Sequence, residues 1–185
     1  MSTRPGKTTV NIDLAVKSRK GKEQITINFT QAKQIYIVRS KSAEPELPND
    51  LIDLSGSLIC ADAPIAVWSG NHYAIIPNKD GFSTDHAVDQ LLPLPKWGKE
   101  FIVPMMGMNM QMNEVHIVSY DDNTNVTLNG LRRGQPYTLN KTMMSAEKWK
   151  KVVTAPLGGN LLDSILTVKA DKPIQVYLYS SSAAN

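Results

Sequence analysis

Asp121, Asp122 and Asn123 stand side by side in Asp121-Asp122-Asn123-Thr124, several hard oxygen ligands in one tight span, which is part of a calcium site. The fuller ligand ladder of an EF-hand is missing. The same residues read more simply as a polar hairpin turn between VHIVSY and NVTLNG. Asp85, His86 and Asp89 form a second group. On a helical turn their spacing brings them to one side, where they could hold a cation or a sugar hydroxyl. The bland reading has Asp85 capping the turn, His86 packing or bonding locally and Gln90 satisfying neighbouring backbone. Met105, Met106, Met108, Met110 and Met112 crowd a third stretch, with thioethers that suit Cu(I) or, more simply, an adaptable apolar contact surface. Trp68, Trp97, Trp149, Tyr73, Tyr120 and Tyr137 are candidates for stacking on sugars or anchoring an interface. Trp97, between Pro95 and Gly98, is expected to close the edge of a core while its indole N–H reaches a loop carbonyl.

Catalysis finds less support. His72, His86 and His116 have no short metal-ligand spacing, and no HExxH, CxxC, GxSxG or Walker-type run occurs. Ser, His and Asp are all present, but a triad is defined by geometry and not by composition. The chain is therefore read as non-enzymatic and without a cofactor, calcium at Asp121, Asp122 and Asn123 being the candidate exception. Cys60 is the one cysteine, so no internal disulfide forms, and its apolar surroundings suggest burial as a small hydrophobe. With 20 Lys+Arg against 17 Asp+Glu, the formal charge of +3 is too weak and too scattered to argue for nucleic acid. No stretch approaches the roughly 18 apolar residues of a membrane span, so direct membrane insertion is not expected. Met1–Pro5 lacks the apolar core of a signal peptide, and the chain is read as a trimmed piece of a secreted or cell-surface protein. Asn28, Asn125 and Asn140 stand in Asn-x-Ser/Thr sequons and would point outward from strands.

The elements that must position these residues are strands. Alternating or β-branched runs occur at Thr8–Val16, Gln24–Phe29, Gln34–Val38, SLIC, PIAVW, YAIIP, EFIVP, EVHIVSY, NVTLNG, SILTV and PIQVYLY. Helical turns are expected only over Thr84–Leu92 and Ser145–Val152. An internal repeat groups the strands. Leu14–Val38 aligns without a gap on Val115–Leu139, and Ala61-Asp62-x-Pro64-Ile65-x-Val67 recurs as Ala170-Asp171-x-Pro173-Ile174-x-Val176. The expected architecture is all-β, an antiparallel β-sandwich built from two degenerate repeats over approximately 14–67 and 115–176, with a β-propeller fragment as the alternative. Residues 1–185 are read as a single domain in which the repeats flank segment 68–114.

That intervening segment carries the most specific pattern: PIAVWSGN, then DHAVDQ, Pro-rich residues, WGKEFIVP, and a strand leading into DNTNV. It resembles the IgGFc-binding protein N-terminal domain family. The matching positions are Pro64, Val67, Ser69, Gly70 and Asn71 in the first strand, then Asp85, His86 and Gln90. Trp97, Gly98, Lys99 and Phe101 follow, and then Asp122, Asn123, Thr124 and Gly130. Animal members often carry cysteines around the DH element. Here Thr84 precedes Asp85 and no partner cysteine exists, which points toward a microbial surface protein. The resemblance implies a secreted or surface-anchored protein of mucus or adhesive character, no catalytic residues, and no residue motif for antibody contact. The expected function is a binding or adhesion module for a glycan or protein partner, mucin-like partners included. The alternative is a structural repeat that self-associates into a stalk or filament through strand edges or packed faces. Asn71, Asp85, His86, Gln90 and Trp97 are the candidate ligand contacts.

Overall fold

The computed structural model describes residues 1, 6–40, 53–74, 85–104, 112–132, 135–145, 147–154 and 165–180. Among them the secondary structure is strand throughout, apart from a 3₁₀ turn at Leu94–Lys96. The strands are β1 (Thr8–Asp13), β2 (Gln24–Phe29), β3 (Leu58–Ala61), β4 (Trp68–Ala74), β5 (Asp85–Gln90), β6 (Gly98–Pro104), β7 (Met112–Ser119), β8 (Thr124–Arg132), β9 (Gln135–Met143), β10 (Lys148–Thr154) and β11 (Ile165–Ser180). The ladders with a defined register are all antiparallel, as the all-β expectation requires. Two compact units result: Met1–Ser69 with Asp89–Leu91, and Gly70–Val88 with Leu92–Asn185.

In the first unit a three-stranded sheet runs β2-β1-β3. Strict alternation in TTVNID turns Thr8, Val10 and Ile12 inward, and Ile25 and Phe29 of β2 join them in one core. Each such side chain contributes about 1.5–3 kcal/mol when fully buried. Cys60 corrects the sequence reading. Ile59 lies opposite Ile12 and packs on the core, so the next residue, opposite Asn11, faces out and is exposed.

Gln34–Val38 also departs from expectation, because it lies in no strand. After β2 the chain turns with Lys33 in the left-handed region (φ 64°), and the Gln34 side-chain carbonyl accepts from Thr30 N (2.6 Å) and Gln31 N (3.0 Å). The run that follows joins no ladder: Val38 packs on the core, while Ile35 and Ile37 stay 69% and 67% exposed.

In the second unit the sheet path is β10-β7-β11-β8-β9, with β6 also on β11. The two sequence runs SILTV and PIQVYLY form one 16-residue strand that bends where the β6 register shifts, between Lys169 and Ile174. Pro173, with no N–H to donate, sits inside that bend. The first half of β11 pairs with β6 and β8, and the second with β7. Inward residues of both halves share one core: Val126, Leu128, Leu166 and Val168 with Val115, Ile117 and Ile174. Opposed inner faces of this kind are how an antiparallel sandwich is built. The helical turn expected over Ser145–Val152 is strand β10 instead, because Lys148–Thr154 pairs residue by residue with β7.

The two units use the same local device. Val10 lies opposite Ala61 and Val126 opposite Ala170, and in each case Asp-x-Pro follows the alanine. Asp62 Oδ1 accepts from Thr9 N (2.9 Å), and Asp171 Oδ1 accepts from Asn125 N (2.8 Å). The carboxylate thus satisfies the neighbouring strand's N–H where the ladder breaks. This register makes β1 the counterpart of β8, a different correspondence from the alignment of Leu14–Val38 with Val115–Leu139.

Candidate binding surfaces

Segment 68–104 supplies the residues singled out by sequence. β4 and β5 form a two-stranded sheet. Gly70 makes it possible: a Cβ there would lie 2.5 Å from Ala87 O and 2.7 Å from Val88 Cγ2, so no other residue fits without displacing β5. The pairing overturns the helical turn expected over Thr84–Leu92. In a strand the side-chain period is two, so His86 and Gln90 project to one face and Asp89 to the other, and His86 and Asp89 do not converge as they would on a helix. Asp89 Oδ1 accepts from Gln90 N at 2.8 Å. Asn71 lies exposed on β4. Trp97 follows the 3₁₀ turn, half-buried, and its Nε1 donates to Leu92 O at 3.1 Å while its backbone N donates to Leu94 O at 3.0 Å.

A second surface is built from the β7–β8 and β9–β10 turns, which are tied to each other. Asp122 Oδ1 accepts from Ser145 N (2.8 Å), and Ser145 Oγ donates to Tyr120 O (2.7 Å). Ser119 N donates to Glu147 O (3.1 Å), and the Lys172 ammonium donates to Asp122 O. Asn123 takes the left-handed conformation (φ 53°), and Thr124 Oγ1 closes the turn on Asp121 O at 2.7 Å. The Lys141 ammonium beside Glu147, helped by the Met144 N–H, holds the Glu147 carboxyl below its usual range. These bonds fix Tyr120 and Met144 on a rigid rim, 45% and 52% exposed.

The carboxylates proposed from sequence as calcium ligands sit in this rim. There the Asp122 side chain serves Ser145, and a lysine occupies the neighbouring carbonyl. Among the described residues, no three His, Cys, Asp or Glu gather to hold a metal. The methionine run Met105–Gln111 lies outside the described residues.

Two further arrangements escaped sequence reasoning. On β7, His116 Nε2 lies 2.7 Å from Glu114 Oε1, both side chains nearly buried, and the ring packs on Tyr179 with centroids 4.6 Å apart. The i, i+2 spacing of Glu114 and His116 on a strand was the available signal. The other is a set of Asn–Thr pairs across β8 and β9, which sequence showed only as sequons; Asn28, Asn125 and Asn140 are all exposed.

A family model described as IgGFc binding protein matches residues 1–185. A human protein, "IgGFc-binding protein", is 34% identical over 68 residues, a stretch that covers 37% of this chain and 1% of that protein. The chain therefore corresponds to a very small part of that relative's length. No solved structure matches. Matched by the family model from its first residue to its last, the chain belongs to the IgGFc binding protein family.

Proposed function

We propose that this chain is a non-enzymatic binding module of a secreted or cell-surface protein, and that it meets a protein or glycan partner. Membership of a family whose human relative is called an IgGFc-binding protein supports the binding role. The observation that carries the reading is the rim of Tyr120 and Met144 on cross-bonded turns. A tyrosine ring held on rigid backbone loses little conformational freedom on association, and a thioether adapts to the surface it meets, which suits the pair as interface anchors. Asp121 and Lys172 beside them give a charged border that favours selectivity over bulk adhesion.

The test is surface plasmon resonance of the whole chain over immobilised mucin and over an immunoglobulin Fc fragment. Saturable binding to either supports the reading. Tyr120→Ala and Met144→Ala, with unchanged circular dichroism, are expected to weaken binding to a protein partner about tenfold each, in the range of interface hot spots. Binding to neither probe would sink it.

A structural repeat that self-associates is the second reading. It draws on β9, which ends the described sheet path and, among the described residues, has its ladder on β8. Pro136 and Lys141 lie on that strand, however, and such residues discourage edge-to-edge pairing. Size-exclusion elution that shifts with concentration, without added partner, would favour this reading over the first.

A further inference from the structure

The outward face of the β8–β9 hairpin is a row of amides and hydroxyls. Asn125, Thr127 and Asn129 of β8 stand opposite Thr142, Asn140 and Thr138 of β9. In every rung the hydroxyl donates to the amide oxygen: Thr142 Oγ1 to Asn125 Oδ1 (2.7 Å), Thr127 Oγ1 to Asn140 Oδ1 (2.8 Å) and Thr138 Oγ1 to Asn129 Oδ1 (2.8 Å).

All three rungs continue onto β11, Thr167 lying opposite Asn129 in the third. Asp171 flanks the first, its Oδ1 accepting from Asn125 N and its Oδ2 from Asn125 Nδ2, both at 2.8 Å. Lys169 lies opposite Thr127 in the second, 3.4 Å from Glu100. A shallow depression of about 330 Å³ covers these two rungs, lined by Asn125, Thr127, Asn140 and Thr142 with Val126 and Lys141.

A cross-strand pair of this kind contributes only about 0.2–1 kcal/mol. Asparagine is also a poor strand former, so a hairpin under pressure for stability alone gains more from threonine or valine at these positions. What asparagine adds is a planar group with fixed polarity. Once each Oδ1 is occupied, the amide orientation is set, and the remaining N–H groups and hydroxyl lone pairs face outward.

We propose that this face, bordered by Asp171, binds a hydroxyl-rich ligand, a glycan, whose neighbouring hydroxyls meet the rungs Asp171/Asn125/Thr142 and Lys169/Thr127/Asn140. Adjacent strands are about 4.8 Å apart and same-face residues about 7 Å apart along a strand, a grid on the scale of one sugar ring. The alternation of donor and acceptor across each rung matches hydroxyls, which give and take a bond at once. The depression holds no exposed apolar anchor of the kind a protein interface needs. The Asp171 carboxylate, held ionised by its two bonds from Asn125, repels phosphate and so disfavours nucleic acid. The site is shallow and, among the described residues, is lined by no aromatic ring that could stack on a sugar, so single-site affinity is expected in the millimolar range. This proposal rests on the binding-module reading and adds a ligand class and a place.

The experiment is a titration of the ¹⁵N-labelled whole chain, expressed without glycosylation, with lactose, mannotriose and chitotriose. Each is carried to about 20 mM, enough to follow a millimolar Kd. At least one sugar is expected to shift the side-chain amide signals of Asn125 and Asn140 saturably. Asn11, bonded in the same way to Thr26 in the other sheet, is the internal control and stays still. Thr127→Val/Thr142→Val keeps shape and strand preference and removes two hydroxyls, and it is expected to weaken binding about tenfold or more. Thr142→Ser, which keeps its hydroxyl, retains binding.

Unmoved amides with all three sugars overturn the proposal, as does equal affinity in the valine variant. So does an N-glycan found by mass spectrometry on Asn125 or Asn140 of protein secreted from eukaryotic cells, because the chain's own sugar would then cover the face. If Tyr120-dependent binding to mucin or Fc persists while the sugars fail, only the glycan site falls and the binding-module reading stands.

Discussion

At the scale of single residues, Gly70 and the Glu114–His116 pair are the positions where chemistry leaves least latitude. A methyl group on residue 70 would meet the Ala87 carbonyl at 2.5 Å, and that contact is backbone, which cannot swing aside. Gly70→Ala is therefore expected to destabilise by about 1–3 kcal/mol, the usual cost of overpacking, as read from denaturant unfolding. Loss of protection at β5 amides in hydrogen exchange would locate the damage. His116→Leu preserves bulk and leaves Glu114 without its 2.7 Å partner. A cost of about 1–3 kcal/mol is expected, the penalty for a buried acceptor left unmatched, and Glu114→Gln should cost less because an amide still bonds the ring. The sequence displayed both sites as letters. SGN was visible as a motif, but the reason for its glycine lies in the opposite strand, which only pairing brings near.

At the scale of elements, β11 decides the second unit. Its bend at Asp171-Lys172-Pro173 lets one strand serve two halves of a sheet, and the residues on either side of the bend face the same core. Leu128→Ala and Ile174→Ala sit in different halves and are each expected to cost about 2–5 kcal/mol. Because they share one cluster, the double variant should depart from the sum of the single effects; strict additivity in thermal unfolding would argue that the halves pack separately. The strand pattern was legible wherever apolar residues alternate, as in β1, β7 and β8. It failed for β5 and β10, whose sequences DHAVDQ and KWKKVVT carry little apolar alternation and become strands through the backbones they lie beside. It also failed at Gln34–Val38, where a β-branched run joins no ladder and, of its β-branched residues, meets the core through Val38.

At the scale of the whole molecule, two carboxyls tie stability to pH. Asp171 is held below its usual range chiefly by the Asn125 side chain and N–H, and Glu147 chiefly by Lys141 and the Met144 N–H. A depressed folded value means that the unfolded chain takes up the proton first. The stabilisation is therefore complete above the ordinary carboxylate range and is lost as pH falls through that range toward the folded values. Melting temperature should fall on acidification below about pH 4, and Asp171→Asn with Glu147→Gln should flatten that fall while lowering stability at neutral pH. An acid limb identical to the parent's would show that other groups govern it.

By itself the sequence determined the all-β class, the inward faces of β1 and β8, and the segment that carries the family pattern, because alternation and local motifs are properties of neighbours along the chain. Tertiary structure decided that Cys60 faces solvent, that His86 and Asp89 project to opposite faces of a strand, and that Tyr120 and Met144 share a rim. It also decided that asparagines and threonines far apart in sequence line up as rungs. Those outcomes depend on which strand lies beside which and in what register, and no local pattern encodes that.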